Sequence, residues 1–207
     1  RSTILLATLL KAKKPDMPIF MGGAGLNTDN NFGPYCMEQK IMDCWIRGEG
    51  ELSVPAYLRG DMTHPGLNGI PPKQIDNIDD LDFPDYSDYE LATYTNKKGL
   101  VALPITGSRG CVRACTFCDI ASMWPKYKFR SGKSIAKEIK TQVAKYNAKA
   151  FRFTDSLING SMKAFREMTY ELSDFRMSMP SDNRFTWDSH FIVRPERQMP
   201  PEDFVKM

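Results

Sequence analysis

The sequence predicts an α/β fold in two parts, because short apolar segments alternate with helical patterns at both ends of the chain. Residues 1–60 contain two units in which a strand runs into a glycine-rich loop and then a helix, the order of a doubly wound parallel sheet. Residues 99–207 contain three strand–helix units with polar residues after each strand, which is typical of part of a parallel β/α barrel. Residues 61–98 are rich in turn formers and acids and predict a linker.

The composition excludes several classes of function. The 207 residues are 42% hydrophobic and 26% charged, with a formal net charge of +3, which is too weak and dispersed to indicate nucleic acid or a membrane surface as a partner. The sequence has no run of eighteen apolar residues and no signal-peptide pattern. Three of the five cysteines are clustered, which suits a reducing compartment, and we therefore expect a cytoplasmic location.

The first part predicts two buried strands, over residues 17–21 and 43–47. The first strand ends in Gly22-Gly23 and the second ends in Gly48-Glu49. Because ligands bind beyond the carboxyl ends of parallel strands, these glycine loops indicate a binding edge. Helices are predicted over residues 3–13, 35–40 and 51–59, the last with Pro55 in its first turn.

The second part predicts a strand over residues 100–105 that leads into a cysteine motif. Further strands are predicted over 150–154 and 184–193, and helices over 134–146, capped by Ser134, and over 161–177. The chain begins without Met inside a predicted helix and stops where another helix starts, so we expect a piece of a longer protein.

The last predicted strand carries three polar residues with strand spacing. Asp188 and His190 lie two residues apart and Arg194 follows four residues later, so alternation along a strand predicts all three on one face. If that face is the interior of the barrel, they contact substrate or cofactor. If it is the outer face, they are polar positions without a role in binding.

The cysteine motif lies in the segment Gly107–Ile120, where Cys111, Cys115 and Cys118 have the spacing CxxxCxxC. Three thiolates are one fewer than a closed zinc site or a fully ligated iron–sulfur cluster requires. A cluster held by three cysteines leaves one iron open to a small molecule that brings its own donor atoms. The alternative is a zinc site completed by Asp119 or a distant His, although the usual second pair of ligands is not present.

The segment GSRGCVRACTFC resembles the signature of the radical S-adenosylmethionine (SAM) superfamily. The resemblance implies that Cys111, Cys115 and Cys118 ligate a [4Fe-4S] cluster on a loop after the first strand of a partial (β/α)6 barrel. It also implies that SAM chelates the open iron and is cleaved reductively to a deoxyadenosyl radical. Phe117 would lie near the adenine.

Further site residues follow from the same resemblance. Asp155 and Ser156 stand where members of the superfamily often bind the amino group of SAM, while an Asp that caps the next turn is the alternative for Asp155. The stretch FTDSLING resembles an Asp-Ser-Leu-x-Asn-Gly stretch of one group of these proteins. Arg130 matches an arginine common in that group, where it would position SAM or the cysteine motif. Arg194 does not come from the resemblance; if the face predicted for it is the barrel interior, it contacts the SAM carboxylate or the substrate.

A second resemblance covers the first part of the chain. IFMGG followed by WIRGEGE is similar to the end of the Rossmann-like domain that precedes the barrel in the cobalamin-binding-domain radical SAM group. It implies the end of such a domain over residues 1–60, a linker over 61–98, and the first part of a partial (β/α)6 TIM-like radical SAM barrel over 99–207. Gly22, Gly23, Gly48 and Glu49 would line a cobalamin pocket, whereas tight turns and a helix cap are the alternative reading of both loops.

Together the resemblances imply a radical SAM enzyme that abstracts hydrogen from an unidentified substrate, with an electron donor such as flavodoxin or ferredoxin. Bound cobalamin would favour methyl transfer. One alternative is a methylthiotransferase-like enzyme, which shares GSRGC and CTFC and would need further cysteines, for which Cys36 and Cys44 are the candidates. The other alternative is a non-catalytic zinc or iron–sulfur binding module.

Overall fold

The computed structural model describes residues 2–26, 31–95, 97 and 99–207. The chain forms two compact units, Arg1–Ile75 and Asp76–Met207. Both contain helices and parallel strands, so the predicted α/β class is confirmed. Across the described part of the chain, no helix has the length and apolar character needed to span a bilayer.

The first unit alternates helices with short strands, in the order α1 (Ser2–Lys13), β1 (Phe20–Met21), α2 (Phe32–Glu38), β2 (Cys44–Trp45) and α3 (Gly50–Leu58). β1 and β2 pair in parallel, with Phe20 opposite Cys44 and Met21 opposite Trp45. Each strand is shorter than predicted. Because the two strands run parallel, the glycine loops that follow them lie at the same edge of the sheet.

The core of the first unit includes residues from the predicted linker. Leu67 is fully buried against Cys44 and Ile46. The Asn68 N–H donates to the Trp45 carbonyl (3.0 Å), and the Trp45 N–H donates to Asn68 Oδ1 (3.1 Å). The beginning of the segment 61–98 therefore packs on β2 as part of the first unit.

Pro55 lies in the second turn of α3 rather than in its first turn. The helix begins at Gly50, so the prediction for Pro55 is wrong by one turn. The Pro55 nitrogen has no proton to donate to the carbonyl of Glu51, and one bond of the helix ladder is missing there. The helix continues to Leu58, and the Arg59 N–H donates to the Pro55 carbonyl at 3.1 Å.

The second unit contains β3 (Ala102–Ile105), β4 (Ser108–Arg109), α4 (Ile120–Met123), β5 (Lys128–Phe129), α5 (Gly132–Tyr146), β6 (Ala150–Phe153), α6 (Met162–Ser178), β7 (Thr186–Asp188) and α7 (Pro201–Val205). β3, β6 and β7 form a parallel sheet with β6 in the centre, in which Leu103 lies opposite Phe151 and Phe151 lies opposite Trp187. β4 and β5 form a separate antiparallel pair.

One face of the parallel sheet packs into the core of the second unit. Leu103, Ile105, Phe151 and Phe153 point to this face and join a buried cluster with side chains of α5 and α6, namely Ile135, Ala136, Ile139, Phe165, Met168 and Leu172. The alternate side chains form the second face, where Arg152 Nε and Asp188 Oδ1 pair at 2.8 Å and both side chains are exposed.

The rest of the predicted linker packs on the second unit. The Tyr86 N–H donates to the Tyr146 hydroxyl at 2.8 Å, and Gln142 Nε2 donates to the Pro84 carbonyl at 2.9 Å. The guanidinium of Arg130 lies over the Phe83 ring, 5.3 Å from its centroid. The segment predicted as a linker is therefore divided between the two units.

Two further predictions differ from the structure. Ser131, not Ser134, is the N-cap of α5, because its Oγ accepts the Ser134 N–H at 3.1 Å. The third strand of the sheet, β7, pairs over three residues rather than the ten predicted. The chain after Asp188 leaves the ladder and bonds instead to the loop that follows β6, where the Ile158 N–H donates to the His190 carbonyl at 3.0 Å.

We expect Gly132→Ala to destabilise the packing of α5 on α6. Gly132 is the first residue of α5, and a Cβ there would overlap the backbone of Ala164 and Met168 in α6. Relieving this overlap should cost roughly 1–3 kcal/mol, measured as faster hydrogen exchange of the two helices. Gly50→Ala is the matched control, because Gly50 begins α3 and its Cβ would meet Val54 at an ordinary 3.5 Å. Equal effects on the respective helices would contradict the prediction.

Candidate functional site

The cysteine loop, defined here as residues 110–127, begins and ends at the β4–β5 pair. Ser108 lies opposite Phe129 and Arg109 lies opposite Lys128. Beside this pair, the Arg130 N–H donates to the Gly107 carbonyl at 2.8 Å. The two ends of the cysteine loop are therefore held together just after the carboxyl end of β3.

The three cysteines of the motif are accessible. Cys111 is half-buried, and Cys115 and Cys118 are exposed. The Cys118 N–H donates to the Cys115 carbonyl at 3.1 Å, which closes a turn between the last two thiols. Among the residues that the structure describes, no three side chains of His, Cys, Asp or Glu converge closely enough to hold a metal ion.

Asp155 lies beneath the start of the cysteine loop and is only 2% exposed. One carboxylate oxygen accepts the Gly107 N–H at 2.9 Å, and the other accepts the Ser108 hydroxyl at 2.5 Å. Burial raises the pKa of the Asp155 carboxyl, and the hydrogen bonds from Ser108 and Gly107 oppose this shift. Both oxygens of the predicted SAM contact are therefore bonded to the chain itself.

Arg130 is buried with Glu138 on α5. Its Nη1 pairs with Glu138 Oε2 and donates to the Thr106 carbonyl at 3.2 Å, while Nη2 donates to Ser134 Oγ at 2.9 Å. Burial raises the pKa of the Glu138 carboxyl, and the Arg130 charge opposes this shift. The sequence predicts that Arg130 positions either SAM or the cysteine motif. Its bond to the carbonyl of Thr106, the residue before Gly107, is a contact that supports the cysteine loop.

The other predicted SAM contacts lie on three different segments of the second unit. Phe117 is 90% exposed at the outer part of the cysteine loop, and Ser156 is exposed after β6. Arg194 Nη2 donates to the Asn159 carbonyl at 2.7 Å, which ties the chain after β7 to the chain after β6. Because β7 ends at Asp188, strand alternation does not extend to His190 and Arg194. Their shared face with Asp188 therefore loses its basis in strand geometry and stays a prediction.

The predicted cobalamin residues lie after the two strands of the first unit. Gly23 and Gly48 have left-handed backbones, with φ of 105° and 73°, and a Cβ on Gly48 would overlap Pro72. Gly22 approaches the Ile46 carbonyl, where a Cβ would lie at 3.6 Å. Glu49 is 8% exposed, and its carboxylate accepts the Ile75 N–H. Gly23 and Gly48 thus have a backbone conformation that favours glycine, whereas Gly22 makes only an ordinary close approach to Ile46. The Glu49 carboxylate is hydrogen-bonded within the first unit.

Cys36 and Cys44 lie in the core of the first unit with no exposed surface. Burial raises the pKa of both thiols, which disfavours the thiolate form that binds metals. These two cysteines are therefore poorly suited to ligate a second cluster.

Residue patterns alone did not identify Glu138, the buried partner of Arg130, or the contact between Gly160 and Tyr127, the last residue of the cysteine loop. A signal existed for Glu138, because it lies three residues after Ile135 and four before Gln142, on the buried stripe of α5. A charged residue on such a stripe indicates a buried partner. For Tyr127 the sequence offered no comparable signal, because its neighbour Gly160 lies on a different segment of the chain.

The chain shows likeness to two kinds of known protein, although no protein-family model matches it. Over 148 residues it is 27% identical to the anaerobic magnesium-protoporphyrin IX monomethyl ester cyclase of Synechocystis sp., an alignment that covers 65% of this chain and 29% of the cyclase. The chain therefore spans less than a third of the length of this curated relative.

The fold is similar to that of the radical S-adenosylmethionine methyltransferase TsrM from Kitasatospora setae, with a TM-score of 0.59 and 18% sequence identity. The match covers 89% of this chain and 39% of the methyltransferase, which was solved with cobalamin and a [4Fe-4S] cluster bound. This likeness shows the fold. Together, the two likenesses support the resemblance of the chain to part of a cobalamin-binding-domain radical SAM protein.

Proposed function

We propose that the chain carries the cluster-binding part of a radical SAM enzyme that cleaves SAM reductively to act on a substrate. The CxxxCxxC loop is the observation that carries this proposal. Its three thiols are accessible, its ends are fixed after a parallel strand, and the fold is similar to that of a radical SAM methyltransferase. A one-electron donor such as flavodoxin or ferredoxin and a cytoplasmic location are parts of the proposal.

The donor set fits a [4Fe-4S] cluster with one open iron. Cys111, Cys115 and Cys118 supply three thiolates, and burial leaves Cys36 and Cys44 unsuited to supply a fourth. When bound, the cluster and SAM supply the electron transfer and radical chemistry. The residues of the chain hold the loop in place, through Asp155 and Arg130, and present Phe117, Ser156 and Arg194 as the proposed contacts for SAM.

The first unit is proposed to contribute the end of a cobalamin site. Gly22, Gly23, Gly48 and Glu49 follow parallel strands, which is where such folds bind ligands. The left-handed backbones of Gly23 and Gly48 allow close approach of the chain to a large cofactor. With its carboxylate bonded to Ile75, Glu49 would act through its backbone. With cobalamin bound, methyl transfer is the proposed reaction.

The test is reconstitution of the purified chain with iron and sulfide in the absence of oxygen. We expect about four iron atoms per chain, the broad visible absorbance of an iron–sulfur cluster, and release of 5′-deoxyadenosine from SAM after chemical reduction. A second titration with cobalamin tests the first unit. The measurement is quenching of Trp45 fluorescence in a variant with Trp124 and Trp187 replaced by Phe, because Trp45 of β2 is then the one remaining tryptophan.

A colourless protein that retains one tightly bound zinc ion would overturn the proposed function and favour the zinc module. A reconstituted cluster that neither binds SAM nor cleaves it would instead support a non-catalytic iron–sulfur module.

A further inference from the structure

We propose that the Asp155–Gly160 segment positions the cysteine loop by holding both of its ends, with Asp155 and Gly160 as the positioning residues. This inference rests on the proposed function for its consequence, since the loop is the proposed cluster site. The contacts themselves are independent of any cofactor. The role assigned to Asp155 differs from that of a SAM contact, because its carboxylate acts on the chain.

The first contact holds the start of the loop. Asp155 accepts hydrogen bonds from the Gly107 N–H (2.9 Å) and the Ser108 hydroxyl (2.5 Å), and Ser108 is only 6% exposed. Gly107 fits tightly, because a Cβ there would lie 3.0 Å from Ile158 Cδ1 and 3.2 Å from Asp155 Oδ1. Hydrogen bonds to a buried charged acceptor are among the stronger ones in proteins. The start of the loop is therefore fixed to the end of β6.

The second contact holds the end of the loop. Tyr127, its last residue, packs directly on Gly160, where a Cβ would lie 3.0 Å from the Tyr127 Cε1 and would overlap the Tyr127 Cζ and hydroxyl oxygen. The Tyr127 ring also stacks on Phe129 of β5, with 5.8 Å between centroids. A residue other than glycine at 160 would displace this ring, so the position is specific for close approach.

The segment is itself fixed between these two contacts. Asn159 is fully buried, and its side chain donates to the Ile192 carbonyl (2.8 Å) and accepts the Ile192 N–H (3.2 Å). Each of the three residues that stand out in FTDSLING thus has a separate task. Asp155 holds the start of the loop, and Asn159 anchors the segment to the chain after β7. Gly160, which has no side chain, leaves space for the Tyr127 ring.

The test compares Asp155→Ala with Asp155→Asn in the full chain. Ala removes both acceptors, so hydrogen exchange of the amides at 107–109 should rise about tenfold or more, and iron uptake on reconstitution should fall. Asn keeps an acceptor for the Gly107 N–H and offers a donor to the Ser108 hydroxyl, so it should restore most of the protection and the iron uptake. Asp174→Ala is the control, because that carboxylate is exposed on α6 and pairs with Lys206 only at 3.6 Å.

The measurement of SAM affinity separates positioning from direct contact. If Asp155 positions the loop, reconstituted Asp155→Asn should bind SAM as the wild-type chain does. A loss of SAM affinity in Asp155→Asn of about tenfold or more, with the cluster intact, would show a charge contact with the SAM ammonium and overturn the inference.

Two milder variants test the inference should Asp155→Ala fail to fold. Ser108→Ala removes one bond at the start of the loop and should raise exchange at 107–109 by a smaller factor. Gly160→Ala should raise exchange at 127–129 and the alkylation rate of the cysteines. Unchanged exchange in both variants would overturn the inference. This exchange is measured without cofactor, so it tests the positioning contacts separately from the proposed function. If the wild-type chain binds no iron but its cysteine loop is protected from exchange, the proposed function is overturned and the positioning contacts remain supported.

Discussion

Replacing Cys111, Cys115 or Cys118 by Ala is expected to reduce iron in the reconstituted chain to less than about a tenth of the wild-type content. Each substitution leaves two thiolates on the cysteine loop, and two thiolates are too few to retain a [4Fe-4S] cluster. Visible absorbance and SAM cleavage should be lost together with the iron.

The controls for this prediction are the other two cysteines. Cys36→Ala and Cys44→Ala alter side chains in the core of the first unit that have no exposed surface, so the iron content should remain at the wild-type value. Circular dichroism would verify that each variant is folded. Iron loss in either control, or iron retained in any of the three loop variants, would show that the ligands are assigned wrongly.

Glu138→Ala is expected to destabilise the second unit by roughly 3–5 kcal/mol. Glu138 is 2% exposed and Arg130 is 7% exposed, so removal of the carboxylate leaves a buried guanidinium whose nearest remaining carboxylate is Asp79, at 3.8 Å. Chemical denaturation followed by circular dichroism, together with hydrogen exchange of α5, measures the loss.

The matched control is Glu171→Ala on α6. Glu171 pairs with Lys140 of α5 at 2.7 Å, but both side chains are about 40% exposed, so this change should reduce stability far less than Glu138→Ala does. The double variant Arg130→Met/Glu138→Leu should recover most of the stability, because it removes both buried charges. Equal losses for Glu138→Ala and Glu171→Ala would contradict the assignment of a buried pair.

The elements were predictable from the sequence where local patterns determine them. The alternation of short apolar strands with helices whose apolar side chains recur at helical spacing gave the parallel α/β arrangement, and Gly48, with its left-handed backbone, follows a strand as its sequence context indicates. The spacing of Cys111, Cys115 and Cys118 indicated a loop, and the structure places all three on one.

The remaining features depend on contacts between distant segments. The length of β7 depends on hydrogen bonds that the Ile158 N–H donates to the His190 carbonyl and that the Asn159 side chain donates to the Ile192 carbonyl. These bonds compete with continued strand pairing and have no local signature. The partners of Asp155 lie 47 and 48 residues earlier in the chain. From the sequence alone, a polar residue after a strand is equally compatible with a ligand contact and with a hydrogen-bond acceptor for the chain itself. Only the folded structure distinguishes these two roles.

The pairing of Gly107 with Arg130 has a thermodynamic consequence for metal uptake. Much of the entropy of closing the chain around a cluster is already lost when the second unit folds, so the three thiolates act at a raised effective concentration. If the proposed cluster binds to the folded second unit, its affinity and the folding free energy of that unit are consequently linked. A bound cluster should protect β4 and β5 from exchange, and denaturant at concentrations that loosen this pairing should release iron before the helices unfold.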